Sequence, residues 1–332
     1  MKPKLKPLAK QVMVITGASS GIGLTTARKA AEAGAKVMLV ARNEAALKKA
    51  VSDIRAAGGT ADYAVADVGE ESQVTQAVDK TVKRFGGFDT WVNDAGVGMY
   101  APLVQTATDE HARLFKTNYW GVVFGSQAAV KQMRKRGGAL ITVGSVASDI
   151  ATPLLGAYSA SKHAVKGFTD TLRIELLRDK APISVTLIKP SGIGTPFAEH
   201  AADHMRGEAL IPPPLYAPEL VADAILDAAR KPRREITVGG SGRSETILSR
   251  AAPGLFDWLG TKLIPFLTDE DAPRTESDSL FKSSDAGRER PARDHSRPFS
   301  LYTSAVLHPR LMISVGLLAA VAAAAAMEAR KA

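Results

Sequence analysis

From residue 11 to about residue 240 the chain alternates short apolar runs with longer stretches whose apolar residues recur every three or four positions. The short runs are Val12–Ile15, Lys36–Val40, Tyr63–Ala66, Thr90–Val92, Ala139–Val143, Ser184–Ile188 and Glu235–Val238. They are rich in Val and Ile and do not alternate with polar residues, as expected of strands covered on both faces. Between them, Gly21–Ala33, Ala45–Ala57, Val74–Phe85 and Pro218–Arg230 carry the helical pattern. Gly34, Gly58-Gly59 and Gly86-Gly87 stop the first three. Strands separated by helices of about 10 to 15 residues imply right-handed βαβ units. The predicted fold class is α/β: a doubly wound parallel sheet of about seven strands with helices on both faces.

The character changes near Ala251. Leu255-Phe256, Trp258-Leu259, Leu263-Ile264 and Phe266-Leu267 make residues 251–268 an amphipathic apolar segment containing Pro253 and Pro265. It suits either packing against the fold or lying on a bilayer surface. Residues 269–305 begin with a charged stretch rich in Pro and Ser, in which Leu280 and Phe281 are the large apolar residues. Such a composition cannot bury a core of its own and predicts a flexible linker. Residues 306–332 predict a C-terminal helix. Its uncharged run Leu311–Met327 is bounded by Arg310 and by Glu328, Arg330 and Lys331. As a helix the run would span about 25 Å, against a hydrocarbon core of about 30 Å. A C-terminal membrane anchor is the favoured reading, with a docked soluble helix and an interfacial helix as the others. The domain organisation expected is therefore a folded domain over 1–250 followed by these three segments.

Composition narrows the function. With 332 residues, 45% hydrophobic and 23% charged, the chain is an ordinary globular protein, which excludes wholesale disorder and a multi-span membrane protein. There is no cysteine, hence no disulfide framework, zinc thiolate site or cysteine nucleophile. The net charge is +9, but the basic residues are scattered apart from Lys2, Lys4, Lys6 and Lys10, and no aromatic stripe accompanies them. Nucleic acid is not an expected partner. The same lysines, interleaved with Pro3 and Pro7, lead into no apolar stretch of a secretory signal. The six histidines show no ligand spacing with carboxylates, and no metal is expected.

Thr16-Gly17-Ala18-Ser19-Ser20-Gly21-Ile22-Gly23 follows the first strand and opens the first helix. Glycines there allow a tight turn and a close backbone approach to a pyrophosphate. The helix N-terminus offers it unpaired N–H groups and a positive dipole end. The spacing Gly-x-x-x-Gly-x-Gly resembles the cofactor signature of the short-chain dehydrogenase/reductase family, whose fold is of the Rossmann type. Other motifs follow in order over about residues 8–240. Asp67 and Val68 after the third strand are similar to the family's adenine-contacting position. Asn93-Asp94-Ala95-Gly96 resembles its Asn-Asn-Ala-Gly turn, and Asn118 its helix asparagine. Ser145, Tyr158 and Lys162 are similar to its Ser and Tyr-x-x-x-Lys group. Pro190-Ser191-Gly192-Ile193-Gly194-Thr195 resembles the segment that holds the nicotinamide amide. Two positions depart from the pattern. Asp94 replaces the second asparagine, and Ser191 stands where glycine is usual, with Gly192 beside it.

The resemblance implies an oxidoreductase acting on a carbonyl/alcohol pair, with Ser145, Tyr158, Lys162 and Asn118 catalytic. Thr16, Gly17, Ser19, Ser20, Gly21, Ile22, Gly23, Arg42, Asp67, Val68, Asn93, Ala95, Gly96, Pro190, Gly192, Ile193 and Thr195 would bind cofactor with Tyr158 and Lys162. Tyr158 and Lys162 lie at i and i+4 and share a helix face. An ammonium nearby lowers the phenol's pKa from near ~10 and suits it to proton exchange. In the family, Ser145 holds the substrate oxygen, the lysine also binds the nicotinamide ribose, Asn118 supports a water-linked relay, and residues Phe197–Tyr216 form the substrate lid. The second strand ends Val40-Ala41-Arg42-Asn43 without a carboxylate, and Arg42 is suited to a 2′-phosphate. NADP(H) is therefore expected over NAD(H). Other implied partners are a small carbonyl or alcohol, lipophilic if the anchor is real, and a second copy of the chain. The expected location is a cytoplasmic catalytic domain tethered by its C-terminus. A non-catalytic NADP(H)-binding scaffold is the alternative.

Overall fold

The structure is a computed structural model that describes residues 3–273, 279–283 and 287–309. Its first half runs β1 (Val12–Thr16), α1 (Gly21–Glu32), β2 (Lys36–Ala41), α2 (Glu44–Ala56), β3 (Thr60–Val65), α3 (Glu71–Phe85) and β4 (Thr90–Asn93). The second half runs α4 (Thr108–Phe115), α5 (Gly121–Met133), β5 (Gly138–Val143), α6 (Gly156–Arg178), β6 (Ile183–Pro190), α7 (Pro218–Ala228) and β7 (Glu235–Val238). Then come α8 (Gly240–Ala251), α9 (Pro253–Leu263) and α10 (Leu301–Leu307). The seven strands form one parallel sheet in the order β7-β6-β5-β4-β1-β2-β3. This is the Rossmann-type doubly wound sheet expected, with its order reversing between β1 and β4.

Each run read as a strand or helix between residues 11 and 240 is present. The largest shifts occur where burial is weakest. β3 starts three residues before Tyr63, because it is an edge strand and only two of its six positions are buried. α3 starts at Glu71 rather than Val74, because its first turn is polar and exposed and gives no apolar signal. Local chemistry sets other boundaries. The Asn43 side chain caps α2 by accepting from Ala46 N–H at 3.0 Å. Gly86, at φ +80°, ends α3 in the left-handed conformation.

Two apolar layers sandwich the sheet. On one face α1 and α7 meet through Ala27, Ala30, Ala224 and Ala228, all fully buried, so the two backbones approach closely. On the other, α3 and α5 cover Val14, Met38, Trp91 and Leu140. Because all strands run parallel, every strand C-terminus and every helix N-terminus that follows one faces the same edge, and the site must lie there.

The expected linker behaves otherwise over its described parts. Leu280 is fully buried. Arg297 N–H donates to Leu215 O at 2.8 Å and Ala217 N–H to Arg297 O at 2.9 Å, which adds a short rung beside α7. Arg290 pairs with Glu219 at 2.8 Å. α10 packs on β7, with Thr303 Oγ1 accepting from Gly239 N–H at 3.0 Å and Leu307 joining the core. Polar composition misled because main-chain bonds and ion pairs hold this segment to the domain; it needs no core of its own. Residues 251–268 likewise continue the fold: Leu267 is buried, while Trp258 and Phe266 are exposed. Among the described residues no helix is long and apolar enough to cross a membrane. The run Leu311–Met327 lies outside the described residues.

Leu307→Ala should lower stability in urea denaturation by about 2 kcal/mol or more, as for other buried leucines. An unaltered midpoint would mean that α10 contributes nothing to the core.

Candidate functional site

β1 and β4 part company at the site edge, and Thr16 bridges the gap. Its hydroxyl donates to Val92 O at 3.2 Å and accepts from Asp94 N–H at 3.1 Å and Ala95 N–H at 3.2 Å. The loop 17–23 therefore lies flat on the 94–96 turn. Gly17 has φ +72°, and a Cβ there would sit 2.8 Å from Ala95 backbone atoms. A Cβ on Gly23 would meet Gly17 O at 2.5 Å and Asp94 Oδ2 at 2.8 Å. Both positions require glycine. Above this loop opens a cavity of about 1060 Å³ lined by Gly17, Ser19, Ser20, Gly21 and Ile22 on one side and Ser145, Tyr158 and Lys162 on the other.

Most residues singled out by sequence meet in this cavity, including Arg42, Asp67, Val68, Ala95, Gly96, Pro190, Gly192, Ile193 and Thr195. Thr16, Gly23, Asn93 and Asn118 lie behind its wall. Asn93 accepts from Trp91 Nε1 at 2.7 Å and donates to Ser126 at 3.1 Å, pinning β4 to α5. Asn118 lies in a wide turn of residues Lys116–Trp120, closed by Gly121 N–H to Lys116 O. Its side chain accepts from Val97 N–H at 2.8 Å and donates to Val97 O at 3.0 Å and Ser161 at 3.1 Å. It thus locks the loop after Gly96 to the helix of Tyr158. Ser191 Oγ donates to Val238 O at 2.9 Å, so the residue that departs from the motif ties β6 to β7.

α6 brings the reactive groups together. Lys162 Nζ donates to Val143 O at 3.0 Å and lies 5.5 Å from the Tyr158 ring centre. Burial pushes the Tyr158 phenol up to about 12; its hydrogen bond with Ser145 pulls the other way and the Asp94 charge adds to the rise. The lowering expected from Lys162 is not found: burial sets the direction, and the opposing pull comes from Ser145. Burial also brings the Lys162 ammonium down to about 8, with the Asp94 charge opposing the fall. Asp94 itself is raised by burial to about 7, against the pull of Lys162 and of Gly23 N–H. At neutral pH the phenol keeps its proton and the amine is mostly charged.

Several features went unread in the sequence. Asp67 meets Arg113 Nη2 at 2.5 Å. Burial works against its ionisation, but Gly69 N–H and the Arg113 guanidinium outweigh it and hold the carboxyl below its usual range. Phe197 sets its ring edge against Tyr158 at 5.3 Å between centres. Leu248, Phe256, Leu259, Leu263 and Ile264 from α8, α9 and the turn after α9 form one apolar wall of the cavity, and Leu155, Ile211 and Pro212-Pro213-Pro214 line it too. Arg42 donates to Ser279 O at 2.6 Å, Lys282 O at 3.1 Å and Leu280 O at 3.3 Å. The lid reading covered Phe197, Ile211 and Pro212–Pro214, and the packing reading covered 251–268; nothing in the spacing announced how Arg42, Asp67 and Arg113 meet one another and the tail, contacts that join segments far apart in the chain.

A glycine-cradled helix N-terminus at the switch point of a doubly wound sheet, facing a Ser-Tyr-Lys group, defines the class. Residues 11–206 match the family model described as short chain dehydrogenase. The chain belongs to that family. It is 40% identical over 331 residues to the uncharacterized oxidoreductase YxnA of Bacillus subtilis, covering 98% of this chain and 92% of that one. A short chain dehydrogenase/reductase of Burkholderia phymatum, solved in complex with NAD, superposes with a TM-score of 0.69 at 26% identity, over 81% of this chain and 99% of that one. Actinorhodin polyketide ketoreductase, solved with NADPH, gives a TM-score of 0.55 at 32% identity, over 58% and 74%.

Gly23→Ala should destabilise the protein by about 1–3 kcal/mol in chemical denaturation, because the added carbon meets backbone that cannot yield. A neutral effect would mean that the loop can lift from the 94–96 turn without cost.

Proposed function

We propose that the protein is a nicotinamide-dependent oxidoreductase that moves a hydride between NADP(H) and a carbonyl/alcohol pair. The observation that carries this reading is the Ser145–Tyr158–Lys162 group facing the glycine loop across one cavity. The cradle fits a dinucleotide: Gly17 and Gly23 leave no room for side chains, and the N-terminus of α1 opens into the cavity. Ser19, Ser20, Gly21 and Ile22 would hold the pyrophosphate, Asp67 and Val68 the adenine, and Ile193 and Thr195 the nicotinamide amide. When bound, the nicotinamide supplies or accepts the hydride.

The chain's own residues supply position and the proton. In the reducing direction Ser145 Oγ hydrogen-bonds the substrate oxygen, and the Tyr158 hydroxyl gives that oxygen its proton. A phenol near 12 is fully protonated at neutral pH and poised as an acid. The Lys162 ammonium favours the phenolate that is left behind. Asn118 acts through position, keeping α6 and the loop after Gly96 in register. The absence of a carboxylate at the end of β2, with Arg42 in its place, supports NADP(H) over NAD(H). The apolar wall from α8 and α9 supports a bulky, apolar carbonyl substrate.

NADPH consumption against ketones from short-chain to steroid-sized, with NADH in parallel, tests this reading. Tyr158→Phe should lower kcat by about a thousandfold while dinucleotide binding persists; retained turnover would sink the assigned role.

The pH profile gives a second test. Lys162 carries its charge below about 8 and loses it above, so kcat/KM for reduction should fall as pH rises through about 8. Asp94→Asn removes the charge that raises Lys162, so the fall should begin at lower pH. A profile identical to wild type would mean that Asp94 does not act on Lys162.

A further inference from the structure

A cleft at the carboxyl edge of a doubly wound sheet is ordinarily open to solvent along its length. In this protein the chain returns after α9 and crosses it. Ser279 N–H donates to His200 O at 3.2 Å, on the far side of the cleft from β2. Arg42, at the end of β2, takes the carbonyls of Ser279, Leu280 and Lys282. Arg113 Nε donates to Leu280 O at 2.6 Å while its other nitrogen holds Asp67. Further on, Gly287 N–H donates to Ser19 O at 2.8 Å and Gly21 N–H to Arg288 O at 2.9 Å, which fastens the tail to the glycine loop itself. Glu289 then bonds Thr25 at 2.8 Å and pairs with Arg28 on α1.

We propose that residues 279–283 and 287–290 form a roof over the adenosine end of the cleft, which must lift before a dinucleotide can enter or leave. The inference rests on the reading of this cleft as a dinucleotide site. Three observations carry it. First, the contacts tie the tail to His200, to the end of β2 and to the glycine loop, so the segment lies across the cleft. Second, Ser279 and Ser283 line the same cavity as Gly17 and Asp67, so the tail covers this space and does not fill it. Third, among the described residues the roof buries one large apolar side chain, Leu280, beside the small Ser279, and is otherwise held by main-chain bonds and ion pairs, while the neighbouring Phe281 is half exposed. A segment fastened in this way opens locally at far lower cost than the sheet unfolds. Leu280 packs with Val97 and Leu114, next to the Gly96 turn, and serves as the latch. Arg42 lines the adenosine end and Arg113 holds Asp67, which lines it too, and both arginines hold the roof, so roof position and occupancy of the cleft are coupled.

The test is stopped-flow binding of NADPH, with NADH in parallel, to the full chain, followed by energy transfer from the protein's tryptophans. If opening precedes binding, the observed rate for wild type levels off as NADPH rises, at the opening rate. Leu280→Asp places a charge where the latch is buried, and should raise both that plateau and the dissociation rate about tenfold or more. Glu289→Ala loosens the fastening on α1, outside the cleft, and should shift both in the same direction by a smaller factor. It decides the question alone if the first variant fails to fold by circular dichroism. Rates linear in NADPH and equal in all three proteins would overturn the roof and leave the dinucleotide reading intact. So would a faster dissociation with unchanged association, which would mark the tail as a passive contact. Failure of wild type to bind either dinucleotide would overturn both readings together.

Discussion

The site depends on one separation. β1 and β4 are neighbours in the sheet, yet the chain leaves them in opposite directions, and something must close the gap that opens beyond their ends. Thr16 does so with a single hydroxyl that bonds Val92 O and collects the N–H groups of Asp94 and Ala95. That bridge brings the 17–23 loop down onto the 94–96 turn until no side chain fits between them. Gly17 and Gly23 follow from the bridge, as does the direction in which α1 sets out. So does the position of Gly96, beside which Asn118 Oδ1 and Lys162 Nζ both lie. The helix of Tyr158 and Lys162 and the glycine loop thus share one support, although they are far apart in sequence.

Much of this was legible in the chain because it rests on local constraints. Most of the buried strands declare themselves by a short apolar run rich in Val, Ile, Leu and Met, since both of their faces are covered. Gly17, Gly21 and Gly23 declare themselves because each must be small. Tyr158 and Lys162 declare their shared face by a spacing of four. What escaped reading acts between distant segments. Arg113 looks like any surface arginine of an amphipathic helix, yet it pairs with Asp67 across the cleft edge. The polar stretch after residue 269 reads as a tether, because composition registers the lack of a hydrophobic core but not the main-chain bonds of Gly287, Arg288 and Arg297. The apolar run at 255–267 reads equally as a bilayer face or a packing face. Its structure divides those roles, with Phe256 and Leu259 turned to the cavity and Trp258 and Phe266 to solvent.

The departure at position 94 has consequences that an asparagine there would not have. Lys162 is almost fully buried, and it donates to a neutral carbonyl, that of Val143. Removing an ammonium from water is costly, and a single neutral acceptor offsets only part of the cost. A carboxylate close by offsets more, and burial raises that carboxyl in turn, so the two groups come to titrate at about 7 and about 8. Asp94 is also bound to Gly23 N–H, in the loop that its own backbone supports through Thr16. One side chain therefore links the charge on Lys162 to the seating of the glycine loop. A change in protonation at Asp94 alters both the attraction that keeps Lys162 charged and the bond that holds the start of α1. The electrostatics around Lys162 and the geometry of the glycine loop thus depend in this protein on a single buried carboxyl.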